Sequence, residues 1–455
     1  MVQYYSDKNG FMKERILLFI IILGLSFLIY VYQSYINTLW GLGLICVGFF
    51  IYAVSANLAY KIKKRVLKKH PEAIDENYKP FVTVMIPAHN EENVIAYTVE
   101  NIEQMEYPNF EIIVIDDRST DNTALVIQKL EKEYDNLKAF IRPKDAFPGK
   151  SAVLNDAMKF AKGEAILVFD ADATVEPDFL NKIIPLLEPD DVGAVQARKI
   201  IRNNDYNILT RCQNNEYTLD AQIQVSRDSV KGAVELRGNG ELIKRKALED
   251  IGGWNNYTIT DDLDMSTRLH IKGWDIRFCM NTAVYEEGIA YVLPLYRQRR
   301  RWLEGTIRRY LEYFVDVLMS KDMSLRASMD MTIYILQFII PGWFLLEVFI
   351  RMFKWIVKDA SPNIVYSSLI VGAAIGIGFL FSIRYALRRY DNLQRKDALI
   401  QAFQTTVYFF MIWFPLVLFI SFKILFMKKD MNWGKTAHGL VKEEEENIAK
   451  QMEKV

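Results

Sequence analysis

Hydrophobic positions along this chain fall into two regimes. Toward both ends they form long unbroken runs, whereas from about residue 80 to 320 they come in short bursts alternating between strand and helix spacing. Phe81-Val82-Thr83-Val84-Met85-Ile86 is a β-branched burst that stops at Pro87-Ala88-His89-Asn90-Glu91-Glu92, and a helical pattern continues to about Gln104. Residues 110–115 predict a second strand ending on Asp116-Asp117-Arg118-Ser119, after which Asp121 is placed to cap a helix carrying Leu125, Ile127 and Leu130. A short strand near 137–141 follows, and Pro148-Gly149-Lys150-Ser151 opens a helix through Leu154, Met158 and Phe160. The apolar run 165–169 then predicts a buried strand that stops on Asp170-Ala171-Asp172. Strands and helices alternating at this spacing predict an α/β fold with a parallel, doubly wound sheet.

Farther on, residues 192–197 predict a strand and about 208–226 a long helix, polar on one side. Arg237-Gly238-Asn239-Gly240-Glu241 is a glycine-rich turn where backbone can approach a ligand closely. Thr260-Asp261-Asp262-Leu263-Asp264 opens a helix with Met265, Leu269 and Ile271 on one face.

The end runs change the picture from a soluble domain to a membrane-bound one. The runs from Ile16 to about Tyr32 and from Leu39 to about Tyr60 come close to the roughly 20 apolar residues of a spanning helix. The cluster Lys61-Ile62-Lys63-Lys64-Arg65-Val66-Leu67-Lys68-Lys69 follows at once and marks a cytoplasmic side, so the hairpin returns to the cytoplasm. Apolar runs return at about 331–350, 364–383 and 399–427. Basic residues lie between the last two (Arg384, Arg388, Arg389, Arg395, Lys396) and after the last (Lys428, Lys429). Three simple crossings do not keep both basic segments inside, and Pro415 leaves the last run open as a tight hairpin, a re-entrant segment or one tilted span.

Composition narrows the partners. The 56 basic and 56 acidic side chains cancel, which gives no footing for a nucleic-acid partner. Cys46, Cys212 and Cys279 are scattered and odd in number, and four histidines form no cluster, so neither a disulfide framework nor a zinc spacing is present.

Candidate chemistry gathers at strand ends. In an open α/β sheet, ligands sit beyond the carboxyl ends of the strands. Three ends deliver Asn90/Glu91, Asp116/Asp117 and Asp170/Asp172 to one edge. Two aspartates there can hold a divalent cation, and the cation a diphosphate. Taken alone, an Asp-x-Asp triplet is more often a cap or a turn. Gly149-Lys150-Ser151 is not a nucleotide-triphosphatase loop, because the glycine that loop needs five residues earlier is Lys144. Lys150 remains a single cation within reach of a diphosphate. Three carboxylates at 261–264 exceed what a helix start needs. Gln298-Arg299-Arg300-Arg301-Trp302 offers forked donors and an aromatic face, on a segment with the character of a membrane-surface helix.

The ordered set Pro87-x-x-Asn90-Glu91, Asp116-Asp117-x-Ser119, Gly149-Lys150, Asp170-x-Asp172, Asp261-Asp262-x-Asp264 and Gln298-x-x-Arg301-Trp302 resembles the family 2 glycosyltransferases. Within that family it resembles the membrane-integrated processive synthases of cellulose, β-glucan, chitin, hyaluronan and poly-N-acetylglucosamine, over about residues 82–305 and the flanking spans. The resemblance implies a nucleotide-diphospho-sugar (GT-A) domain, parallel-dominated, flanked by transmembrane helices. It implies the plan 1–15 cytoplasmic N-terminus, 16–60 transmembrane hairpin, 61–80 basic linker, 81–293 cytoplasmic catalytic domain, 294–328 interfacial helices, 329–430 transmembrane region and 431–455 charged tail. It implies donor binding by Asn90, Glu91, Asp116, Asp117, Lys150, Asp170 and Arg301, and Mg²⁺ or Mn²⁺ on Asp170 and Asp172. Asp262 is the implied general base, and Gly238, Asp261, Gln298 and Trp302 the acceptor side. Asp261 stands where the family often has Glu.

The implied activity is inverting, processive polymerisation of a UDP-sugar, UDP-glucose favoured, into a β-linked glucan of, for example, mixed 1,3/1,4 linkage. The growing glycan is the acceptor, the lipid bilayer a partner and an accessory export subunit a further one. The enzyme is expected as a multi-pass plasma-membrane protein with its catalytic domain in the cytoplasm. The alternatives are poly-N-acetylglucosamine synthesis from UDP-N-acetylglucosamine and non-processive glucosylation of diacylglycerol, to which Glu286-Glu287-Gly288 and the stretch 298–305 are also similar.

Overall fold

The computed structural model describes residues 78–334 and 363–427 continuously, with short helical stretches within 14–24, 58–65 and 349–357. Most of the predicted N-terminal hairpin and basic linker, much of the run at 331–350 and the charged tail lie outside the described residues.

Eight strands form one sheet in the order β3-β2-β1-β4-β7-β6-β8-β5. They are β1 (Val82–Ala88), β2 (Phe110–Asp116), β3 (Leu137–Ile141), β4 (Ala165–Val168), β5 (Thr174–Val175), β6 (Val192–Ile201), β7 (Glu241–Lys244) and β8 (Asp275–Glu286). The first four run parallel, as the alternation predicts. The sheet is not parallel throughout, however: β7 inserts antiparallel between β4 and β6, and β5 runs antiparallel to β8. The glycine-rich turn is the reason, since it feeds straight into β7 and lays that strand back along β4.

The strands near the site are buried on both faces, which explains why they read as continuous apolar bursts. In β1, β2 and β4 alternate residues serve opposite cores. Val84, Ile86, Ile112, Val114 and Leu167 meet α1 (Ile95–Glu103) and α2 (Thr123–Glu133). Met85, Ile113, Ile115, Ile166 and Val168 meet α3 (Lys150–Ala157) on the other side. A short helix α4 (Phe179–Ile183) packs with the first core. The second core continues through α6 (Arg245–Asp250) and α7 (Asp261–Ile271), between which the chain turns at Gly252-Gly253.

The long helix α5 (Ile208–Ser229) forms where expected and keeps its polar side inside the molecule. Its polar residues are not turned to solvent: Thr210, Gln213, Asn215, Thr218, Gln222, Gln224 and Arg227 are all buried. Two of them bond across to the C-terminal region, with Asn215 donating to Thr405 Oγ1 at 2.9 Å and Thr218 to Asp391 at 2.8 Å. After α8 (Val292–Met319) and α9 (Asn363–Tyr390), the last apolar run is one continuous helix rather than a hairpin. It comprises α10 (Arg395–Tyr408), a wider π-turn at Phe409–Trp413 and α11 (Phe414–Phe426). The π-turn lies just before Pro415, where it absorbs the missing N–H and the ring's clash with the preceding turn. Arg395–Phe426 is the one helix among the described residues long and apolar enough to cross a membrane. The described residues therefore supply a single candidate span, not the multi-pass set the sequence suggests.

Candidate active site

The carboxyl edge of the parallel strands is in register, with Ala88 opposite Asp116 and Met85 opposite Val168. Asn90 takes a left-handed conformation (φ 57°). Its side-chain oxygen accepts the Thr120 N–H at 2.7 Å, and its own N–H donates to Ser119 Oγ at 2.8 Å. The Glu91 N–H donates to Thr123 Oγ1 at 2.8 Å. These bonds brace the loops after β1 and β2 against each other. Asp121, the expected cap of α2, lies one residue before the capping position, which Asn122 holds, and accepts the Thr123 N–H at 3.0 Å.

The adjacent aspartates divide the work. Asp117 is fully buried and neutralised by Arg142 at 2.5 Å and Arg118 at 2.8 Å. Arg142, which the sequence did not single out, also holds Asp156 at 2.7 Å and so ties α3 to this loop. Asp116 accepts the Ser119 N–H at 3.3 Å through one oxygen, while its other oxygen is buried with no hydrogen-bond partner. A buried carboxylate oxygen left unpaired is costly unless a ligand donor completes it.

At the end of β4, Lys150 bridges two loops. Its Nζ donates to Asp170 Oδ1 at 2.6 Å and to the Gly238 carbonyl at 2.7 Å. Burial works to lower the Lys150 ammonium, but Asp170, Asp261 and Glu241 more than reverse it and hold it above its usual value. Asn239 accepts the Asp170 N–H at 3.1 Å, and Asp172 accepts the Glu287 N–H at 3.0 Å. The Asp170 side chain is 40% exposed. Among the described residues no group of three or more His, Cys, Asp or Glu is arranged for a metal. Two carboxylate donors still fit Mg²⁺ or Mn²⁺, ions that commonly take the rest of their shell from phosphate oxygens and water.

Across the cleft, Asp262 lies in the first turn of α7 and accepts its own neighbour's N–H, from Leu263, at 2.8 Å. Its second oxygen lies 3.4 Å from where a Cβ on Gly238 would sit, and Gly238 holds φ +78°. Burial, then the charge of Asp261, pushes the Asp262 carboxyl up to about 6. Glu241 is raised too, by burial and then by Asp262, against the pull of Lys150. Arg301 faces Asp261, Asp262 and Asp170, though burial lowers it overall. Asp264 does not belong to this group: it holds Arg268 at 2.6 Å, Asn255 at 3.0 Å and the Tyr313 hydroxyl at 2.8 Å.

Trp302 completes the wall between two cations, Arg299 at 4.2 Å and Lys199 at 5.7 Å from its ring centre. Gln298 accepts from Arg299, which is fully buried on Glu216 at 3.1 Å. Lys199 pairs with Glu286 at 2.8 Å and lies over the Tyr217 ring. Glu286 in turn accepts from Asn239 at 3.2 Å, so this cluster reaches the loop beside Asp170. Lys199 and Tyr217 carried no motif; only the pairing of β6 with β8 and the approach of α5 bring them here. Thus Lys150, Asp170, Gly238, Asp261, Asp262 and Arg301 share one cleft, Trp302 is reached from it through Asn239, Glu286 and Lys199, and Asp116 and Asp117 end β2 farther along the same sheet edge.

A profile described as glycosyltransferase-like family 2 matches residues 80–305. The β-monoglucosyldiacylglycerol synthase of Nostoc is 38% identical over 371 residues, 79% of this chain and 76% of the relative. The chain belongs to glycosyltransferase family 2. It is an enzyme that transfers a sugar from a nucleotide donor. The same-named synthase of Synechocystis is 34% identical over 80% of this chain and 76% of its own. The poly-β-1,6-N-acetyl-D-glucosamine synthase of Staphylococcus epidermidis is 29% identical over 54% of this chain and 60% of its own. A mannosyltransferase from Pyrobaculum calidifontis, solved with GDP-mannose and Mn²⁺, superposes with a TM-score of 0.53 at 21% identity, covering 81% of this chain and 99% of that one. That likeness shows the family 2 enzyme to have the GT-A fold.

Proposed function

We propose that this enzyme is a non-processive, inverting glucosyltransferase that moves one glucose from UDP-glucose to a diacylglycerol at a membrane surface. The observation that carries the reading is the extent of likeness to the β-monoglucosyldiacylglycerol synthases, which runs through 79% of the chain and past the catalytic domain. Polymer synthesis, the first expectation from sequence, gives way to it, because likeness to a polymer synthase covers 54% of the chain at lower identity.

In this reading the unpaired Asp116 oxygen takes a donor from the uracil ring, and Asp117, locked by Arg142, fixes the loop beneath it. Lys150 and Arg301 offset the charge that develops on the leaving diphosphate. Asp170 and Asp172 would hold Mg²⁺ or Mn²⁺, which when bound adds Lewis-acid neutralisation of that diphosphate. Asp262 removes the proton from the acceptor hydroxyl as its oxygen bonds to the anomeric carbon. The bond from that carbon to the diphosphate breaks on the opposite face, UDP leaves, and an α-linked donor gives a β-linked product. A base is most effective when its pKa lies near the working pH, and the raised Asp262 carboxyl meets that condition. The glycine at 238 leaves room for the acceptor against Asp262.

The proposed placement is at the plasma membrane, through Arg395–Phe426 and the N-terminal apolar runs, with residues 81–293 as the cytoplasmic catalytic domain. Membranes containing the enzyme, given labelled UDP-glucose, Mg²⁺ and diacylglycerol, should yield an extractable glucolipid sensitive to a β-glucosidase. An insoluble polymer, or label taken only from UDP-N-acetylglucosamine, would overturn the reading.

A further inference from the structure

Two loops beside the acceptor end of the cleft are sewn together by buried amides. Asn203 donates to the Gly288 carbonyl at 3.0 Å and accepts the Gly288 N–H at 2.7 Å. Asn207 donates to the Ala290 carbonyl at 3.0 Å, and Gln213 to the Ile289 carbonyl at 2.8 Å. So fastened, the loops turn large apolar side chains outward. Ile208 is 57% exposed, Val292 64% and Leu293 59%, with Tyr206 and Tyr291 beside them. Rigid backbone that presents contiguous aromatic and aliphatic side chains to water implies a partner surface.

Two observations say what that surface is. The inner side of the same region is continuous with the candidate span: Leu295 and Leu303 of α8, Ile289 and Cys212 share one core with Leu416 and Ile420 of α11. Leu293, Arg297 and Arg300 also recur on one face of α8, all exposed. An apolar tip followed by cations one and two turns on matches the boundary between acyl chains and headgroups, where Tyr rings and Arg side chains are favoured.

We propose that Tyr206, Ile208, Tyr291, Val292 and Leu293 form a membrane-inserting edge that seats in the interfacial layer of a lipid bilayer. Arg297 and Arg300 reach the headgroups from it. The edge holds the Trp302 end of the cleft at the lipid surface, so that an acceptor reaches Asp262 without leaving the membrane. This last step rests on the lipid-acceptor reading; the membrane contact does not.

The test uses the full chain in vesicles of phosphatidylcholine and phosphatidylglycerol, with Cys46→Ser and one nitroxide at Leu293→Cys or Ile208→Cys. Cys212 and Cys279 are buried. Dissolved oxygen should relax these labels more than a water-soluble nickel chelate does, with the order reversed at Leu125→Cys on α2. A label at 293 that behaves like 125, or one shielded from both reagents as in a protein–protein contact, would overturn the proposal. In activity, the double variant Val292→Asp/Leu293→Asp should lose roughly tenfold or more in transfer to long-chain diacylglycerol in vesicles. UDP-glucose hydrolysis and transfer to dispersed short-chain diacylglycerol should stay within about twofold. Equal loss in all three would make the edge merely structural and overturn it. If the parent enzyme glucosylates no diacylglycerol while the 293 label still reports lipid, the acceptor reading fails and the membrane edge stands.

Discussion

Glu235 is buried and Asp262 half-buried, both beside the 233–238 stretch of chain, yet their surroundings push them in opposite directions. Burial alone would raise both. Around Glu235 three guanidiniums, Arg309, Arg227 and Arg237, outweigh it and hold the carboxyl well below its usual range. Arg309 donates to it at 2.7 Å, Arg237 at 3.1 Å and the Tyr310 hydroxyl at 3.0 Å, while Asp330 shares Arg227 at 2.9 Å. Asp262 has Asp261 and Glu241 for company, with Arg237 and Lys150 compensating only in part, and its carboxyl rises. The first group is a closed ion network that bolts α5, α8 and the 233–237 segment together. The second is left short of positive charge on the side where substrate would enter. The deeper carboxylate is the one held down, so the difference lies in which charges complete each group and does not follow depth of burial.

The comparison can be broken at either end. The largest effect is expected for Asp262→Asn, which should lower glucosyl transfer by roughly 10³-fold with donor binding retained, measured by initial rates and UDP titration. The same variant should melt slightly higher above about pH 6. The native carboxyl is raised from 3.8 to about 6, so the folded state binds the extra proton between those values and loses stability as pH rises through that window. A variant no more stable than the parent at pH 8 would show that Asp262 is not strained by its company.

Next is Glu235→Gln, which strands the buried guanidiniums and should cost about 3–5 kcal/mol in urea unfolding, as expected when one partner of a buried network is removed. Its depressed carboxyl contributes stability that is present above the unfolded value near 4.5 and is lost only as pH falls below it, so the deficit should be full at pH 7. A third, smaller effect tests how the network side aligns the catalytic side. A Cβ on Gly305 of α8 would lie 2.4 Å from Thr260 Cγ2, at the residue that leads into α7. Gly305→Ala should therefore shift Asp262 and reduce kcat by about tenfold to a hundredfold with little change in KM for UDP-glucose. The smallest effect is a fine one. The parent kcat/KM for the acceptor should fall on the acid side with a midpoint near 6, and Asp261→Asn should move that limb downward by a fraction of a unit, because it removes a charge that raises Asp262.

Much of this was legible before folding. The bursts at 82–86, 110–115 and 165–168 become β1, β2 and β4 because a strand buried on both faces must be apolar at successive positions. The polar residues that end them converge because parallel strands share one carboxyl edge. Where the polar side of one helix goes was not legible: in α5, Asn215 and Thr218 bond to Thr405 and Asp391, distant in sequence. Pro415 left the last run open between a hairpin, a re-entrant segment and one span, and the π-turn before it lets the helix continue.

The sequence by itself determined the order of elements, the acid residues at their ends and the long apolar segments, since periodicity and strand-end chemistry are local. Only the tertiary structure decided which of those acids keep their charge cheaply and which do not. It braced Asp264 and Asp117 with guanidiniums, left one oxygen of Asp116 without a hydrogen-bond partner and Asp262 beside other carboxylates, and brought Lys199 to Trp302. Electrostatic company is set by distances between segments far apart in the chain, and no local pattern encodes it.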